Sequence, residues 1–191
     1  MAEGRWVMAD NEHKVGTQPL DLVGLTSTQK GRIVESRVQE LLLLHGGGLL
    51  SVYTPASDIE AIDLIVLKKG EFRPLYVQVK GRFGLSGRGR NLYIQDIRAK
   101  SFRPHPLFYI VFAYFDPGRL ELYENLFLVP SEHMERVGSI VGGGRRGDRR
   151  YRIATSLNPT TRSKWYPYVC HKRELAPKLL TTIDQVYTLF R

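Results

Sequence analysis

Ala61-Ile62-Asp63-Leu64-Ile65-Val66-Leu67 and, a few residues on, Leu75-Tyr76-Val77-Gln78-Val79-Lys80 are the stretches that decide how this chain folds. The first is a near-continuous apolar run with one charge in it, the pattern of a strand buried on both faces. A carboxylate in such a strand needs a reason, either chemistry or a hydrogen-bond partner. The second run alternates, with Leu75, Val77 and Val79 on one face and Tyr76, Gln78 and Lys80 on the other. Between them, Gly70-Glu71 suits a tight hairpin turn in which glycine takes the first, positive-φ position. A hairpin centred there pairs residues whose numbers sum to 141, so Asp63 falls opposite Gln78. Opposed side chains in an antiparallel pair have Cβ atoms about 4.5–5.5 Å apart. Pro74 removes a ladder donor from this register, but an offset of two residues would still leave Asp63 and Gln78 neighbours.

A helix precedes the hairpin. Thr26-Ser27-Thr28 offers N-cap hydroxyls, Ile33, Val34, Val38, Leu41 and Leu42 recur at helical spacing, and Gly46-Gly47-Gly48 stops the pattern. Winding these residues at about 100° each sets Glu35 on the flank of the apolar stripe near Leu42, where a carboxylate can reach over a sheet edge.

The remaining chain reads as one α/β domain over 25–191, with 1–24 an arm or an added edge element. Residues 49–53 suggest a first strand and Thr54-Pro55-Ala56-Ser57 a turn. A strong strand over 106–114 returns through Asp116-Pro117-Gly118 into a partner over 120–129. Ser131 with Glu132 and Glu135 begins a short helix, and 151–157 is the expected last strand. Leu175, Leu179, Ile183, Val186, Tyr187 and Phe190 recur at helical spacing, with Pro177 in the first turn of that helix.

At 191 residues the chain supports one sizeable core, and its net charge of +9 favours a polyanionic partner. The charge is clustered. Arg82, Arg88, Arg90, Arg98 and Lys100 stand against the single acid Asp96 directly after Lys80, and Arg145, Arg146, Arg149, Arg150 and Arg152 sit in glycine-rich sequence. Read as flexible loops, these would track phosphates without reading bases. Read more plainly, a basic loop only solvates the surface.

Several classes are set aside. The sequence has no long apolar stretch and no secretory pattern at its start, so a cytoplasmic protein with no membrane partner is expected. The single cysteine, Cys170, rules out an internal disulfide and a cysteine-rich zinc site. Adjacent Cys170 and His171 do not make a nucleophile and its base. Gly46-Gly47-Gly48 lacks the Lys-Ser/Thr that a phosphate-binding P-loop requires. Trp165-Tyr166-Pro167-Tyr168, near Arg162 and Lys164, reads either as a base-stacking patch or as a loop tucked over the sheet.

With Gly31-Arg32-Ile33-Val34-Glu35 on the helix, Ile62-Asp63-Leu64-Ile65-Val66 on one strand and Val77-Gln78-Val79-Lys80 on the next, residues 28–81 closely resemble the PD-(D/E)xK nuclease superfamily, in particular its Holliday-junction-resolvase-like branch. Residues 106–130 resemble the later strands of that fold more loosely. The resemblance implies a restriction-endonuclease-like α/β fold, a central mixed sheet of about five strands flanked by helices. It implies a Mg²⁺- or Mn²⁺-dependent endonuclease acting on DNA in repair, recombination or defence, with RNA open as a second substrate. A junction-cutting member would need a two-fold homodimer to make paired cuts.

The site residues implied are Glu35, Asp63, Gln78 and Lys80. Asp63, Gln78 and the Val79 carbonyl would be metal ligands, with Glu35 ligating directly or through water, and Lys80 orienting the attacking water. Asp58 is either a supporting acid or the start of a strand, and Tyr93 and Gln95 stand where a supporting polar residue can sit. The chain departs from the superfamily at Gln78, which replaces the usual acid and brings an amide oxygen without charge. A nucleic-acid-binding module with a degraded metal site is the alternative this departure raises.

Overall fold

The computed structural model describes residues 22, 24–57, 61–88, 91–142 and 148–188. Most of the expected N-terminal arm, together with Asp58, Arg90, Arg145, Arg146 and Phe190, lies outside the described residues.

Helix α1, Ser27–His45, begins with a capping box. Thr26 Oγ1 accepts the Gln29 N–H (3.2 Å), and Gln29 Oε1 accepts the Thr26 N–H (2.9 Å). Val34, Val38 and Leu42, one turn apart, are fully buried. Strand β1, Leu50–Tyr53, pairs antiparallel with β2, Leu64–Lys68, which pairs antiparallel with β3, Pro74–Arg82. Leu64 lies opposite Val77 and Leu67 opposite Pro74, the register expected from the sequence. The turn is built differently. Gly70, at φ +80°, is the third residue of a turn closed by Glu71 N–H donating to Lys68 O (3.0 Å), and Phe72 and Arg73 complete the loop.

Strand β4, Leu92–Arg98, leaves the main sheet, and the chain returns in β5, Phe108–Asp116, parallel to β3. The short β6, Glu121–Leu122, and β7, Asn125–Pro130, both run antiparallel to β5. Helix α2, Ser131–Val137, follows, capped by Pro130 rather than by Ser131. The Ser131 side chain is buried instead against His105, accepting its N–H and donating to its carbonyl, each at 2.9 Å. Strands β8, Ser139–Val141, and β9, Arg150–Ser156, join β4 in a second, three-stranded antiparallel sheet. The strand expected last is therefore not last. Strand β10, Val169–His171, closes the main sheet beside β7 before helix α3, Leu175–Thr188.

The main sheet runs β1-β2-β3-β5-β7-β10, a central mixed sheet with flanking helices as the fold class required. One of its faces packs under α1 and α3 through Leu75, Val77, Val79, Val111 and Leu179. The opposite face packs Ile110, Phe112 and Phe127 against Tyr93, Ile97 and Ile153 of the second sheet. Among the described residues, no helix is long and apolar enough to cross a membrane.

Candidate metal-dependent hydrolytic site

The approach of α1 to β3 is set at Gly81. A Cβ there would lie 2.5 Å from Val34 Cγ2, so only glycine lets the helix come this close beside Lys80. Val34 then fills the core, and its neighbour Glu35, 19 % exposed, faces a cleft of about 980 Å³. Arg32 Nη1 donates to Glu35 Oε2 at 3.1 Å across one turn of helix.

Asp63 stands at the entrance to β2, two residues after Ala61, which is held at φ +58°. That conformation is unfavourable for a residue with a side chain, and it turns the chain into the strand. Asp63 N–H donates to Val77 O (2.9 Å), and Asp63 Oδ2 accepts the Val79 N–H (2.6 Å). The carboxylate thus satisfies a strand donor that the shortened ladder leaves over. This is the partner a buried-strand acid requires, and it fixes where the charge sits.

Gln78 lies on the β3 face that looks toward the second sheet, beside Ile110 of β5. It is 3 % exposed, and its Oε1 has no hydrogen-bond partner among the described residues. An orphaned amide oxygen of this kind costs about 1–3 kcal/mol. Lys80 follows on the same face, and its backbone carbonyl accepts the hydroxyl of Tyr93 at 2.9 Å. Tyr93 is buried, which raises its phenol above the ordinary range and keeps it a donor. Arg82 Nε donates to Ile94 O at 2.7 Å, so β4 is stitched across the end of β3 by two side chains.

The cleft brings together Glu35, Asp63, Val79 and Lys80, while Gln78 lies buried behind its surface. Its described lining carries six cations, Lys30, Arg32, Lys80, Arg82, Arg98 and Arg150, against the three acids Glu35, Asp63 and Asp96. Arg88, Lys100 and Arg149 do not line it. Part of the basic sequence expected to be flexible loops is strand: β4 and β9 pair along seven residues each and hold Arg98 and Arg150 on a ladder, together with Arg152 of the strand expected over 151–157. Arg152 is engaged with Asp96 through two bonds of 2.7 and 2.8 Å, and this guanidinium holds the Asp96 carboxyl below the usual carboxylate range.

Lys30 and Arg32 were missed in the sequence, although helical winding from Glu35 would have put Arg32 on the same flank. Gln95 lines the cleft, and its Oε1, like that of Gln78, is buried without a partner among the described residues. The Trp165 loop is tucked over the sheet, with Trp165 1 % exposed. Burial pushes the Cys170 thiol up to about 11, leaving it inert.

No family model matches the chain, and no curated protein matches it in sequence. Among solved structures, one alignment covers 85 % of this chain and 98 % of its counterpart at a TM-score of 0.56. The chain resembles a bacterial homing endonuclease, I-Ssp6803I, in fold. At 16 % identity, the likeness to the homing endonuclease is one of backbone architecture, with the residues of the cleft to be judged on their own chemistry.

Proposed function

We propose that this protein is a metal-dependent endonuclease that hydrolyses phosphodiester bonds in DNA. The observation that carries the reading is the cleft, in which Glu35, Asp63 and Lys80 stand among further cations on an architecture shared with a homing endonuclease. The oxygen donors suit a hard divalent ion such as Mg²⁺ or Mn²⁺. Asp63, Glu35, the Val79 carbonyl and the unpartnered Gln78 Oε1 would hold it. Among the described residues no three His, Cys, Asp or Glu side chains cluster to offer a site of their own, so the neutral oxygens are needed. When bound, such an ion supplies Lewis-acid polarisation of a phosphoryl oxygen and acidifies a water.

The chain's own groups do the remaining work. Lys80, whose backbone Tyr93 fixes, directs its ammonium to a nonbridging phosphate oxygen or to the attacking water and offsets charge building on the phosphorane. Its protonated amine has no lone pair, so its role is orienting and electrostatic. Arg82, Arg98, Arg150 and the α1 cations receive the flanking backbone, which makes binding sequence-tolerant and strongly salt-dependent. Incubation of supercoiled plasmid with wild-type protein in Mg²⁺, Mn²⁺ or EDTA tests the proposal. Nicking in the metal arms alone is expected, and none on plasmid, linear, branched or single-stranded DNA contradicts it.

A second reading, a DNA-binding module without catalysis, draws on one observation: both acids already have protein partners, Asp63 with the Val79 N–H and Glu35 with Arg32. It requires salt-sensitive binding that Asp63→Ala leaves unchanged and that added metal does not affect.

A further inference from the structure

The second sheet holds two adjacent rungs of opposite character. In one, Asp96 faces Arg152, and the pair is closed by a two-bond fork at 2.7 and 2.8 Å. In the next on the same face, Arg98 faces Arg150. Like charges directly opposed across an antiparallel pair are destabilising, and the nearby acid relieves them only in part. Asp96 gives its close contacts to Arg152 and stands 4.0 Å from Arg150, while the Arg98 guanidinium has no hydrogen bond or ion pair among the described residues. Both arginines are exposed, both line the cleft that holds Asp63 and Lys80, and both are carried on a paired ladder rather than on a loop.

We propose that Arg98 and Arg150 form a clamp for one backbone phosphate of duplex DNA at the rim of the cleft. Two guanidinium forks on opposed rungs match the tetrahedral oxygens of a phosphodiester, and a bound phosphate replaces their mutual repulsion with charge-assisted hydrogen bonds. Arg82, anchored to Ile94 O on the same strand pair, presents a third guanidinium to that cleft. Duplex is favoured over single-stranded DNA by the lining. Its only aromatic among the described residues is Phe83, which stacks on Phe115 at 4.6 Å and offers no open platform for a base. The clamp rests on the nuclease reading for the nature of the polyanion.

The test is a salt titration of binding to a short duplex, followed by anisotropy in EDTA so that cleavage plays no part. The Arg98→Ala/Arg150→Ala variant should bind about tenfold or more weakly near 0.1 M salt, with the log–log salt slope lower by about one to two, equally for unrelated sequences. Arg98→Glu should bind more weakly still, yet raise Tm by about 1–4 °C by pairing with Arg150. A merely structural role for Arg98 does not give both changes. A double variant with the wild-type slope and affinity contradicts the clamp alone, as does an Arg98→Glu protein of unchanged binding. Wild-type protein that binds single strands more tightly than duplex contradicts the choice of ligand. Wild-type protein that does not bind duplex at all contradicts the clamp, while the nuclease reading stands or falls separately on the metal-dependent nicking assay.

Discussion

The two faces of β3 obey different rules. Toward α1 and α3, the side chains of Leu75, Val77 and Val79 are buried among apolar neighbours such as Val34, Val38 and Leu179. Toward the second sheet, Tyr76 packs conventionally, but Gln78 buries an amide oxygen that has no donor among the described residues, and Lys80 opens into a basic cleft. A strand face that carries a buried amide and a lysine in succession, next to a carboxylate that accepts the Val79 N–H, has kept polarity where packing alone would have removed it. One face therefore measures stability and the other should measure activity.

Substitutions can break that division. The largest effect is expected from Lys80→Ala, which should lower metal-dependent nicking by about 10²-fold or more while leaving the melting transition near that of wild type. On the opposite face, Leu75→Ala should cost about 2–5 kcal/mol in urea unfolding, because a fully buried side chain leaves a cavity between helix and sheet. Its folded fraction should still cut DNA. If Lys80→Ala destabilises as much as Leu75→Ala, the two faces do not differ in kind.

Gln78→Leu sharpens the contrast. Removing the unpartnered oxygen should leave stability unchanged or raise it by about 1 kcal/mol, and should lower nicking, with higher Mg²⁺ needed for half-maximal rate. A large loss of stability would show that Gln78 is satisfied in solution and belongs to the core.

A smaller effect is expected at Asp96. Its folded carboxyl is held below the ordinary value by Arg152, so its contribution is present above the unfolded pKa, about 4, and is lost as pH falls through the lower folded value. Acid unfolding curves should therefore show wild type losing more stability below about pH 4 than Asp96→Asn does, by less than about 1 kcal/mol for this partly exposed pair.

The hairpin was legible in the sequence because two strong signals agree: a buried run carrying a single charge, and a clean alternation after a glycine. The β2–β3 register survived a wrong turn, since Leu67 still meets Pro74 when Gly70 moves to the third turn position. Helix α1 was legible from its caps and from the spacing of Val34, Val38 and Leu42. Strand β4 was not recognised because its outward positions carry arginine and aspartate, so the same residues read as a basic loop, whereas β9 was legible as a strand over 151–157 but its pairing with β4 in a separate sheet was not. β10 is three residues long and leaves too short a pattern. The contacts that complete the site, Tyr93 to the Lys80 carbonyl and Asp63 to the Val79 amide, join residues 13 and 16 apart in the chain. The second forms as the hairpin closes, and the first only once the second sheet has packed on β3.

Asp63 is where the two kinds of role meet in one side chain, and the nicking rate of Asp63→Asn is the most direct test. Asparagine can still accept the Val79 N–H but carries no charge. The expected protein keeps a Tm close to that of wild type while its Mg²⁺-dependent nicking falls by about 10²-fold or more. A variant that cuts at the wild-type rate would reduce Asp63 to a strand cap and contradict its role at a metal site.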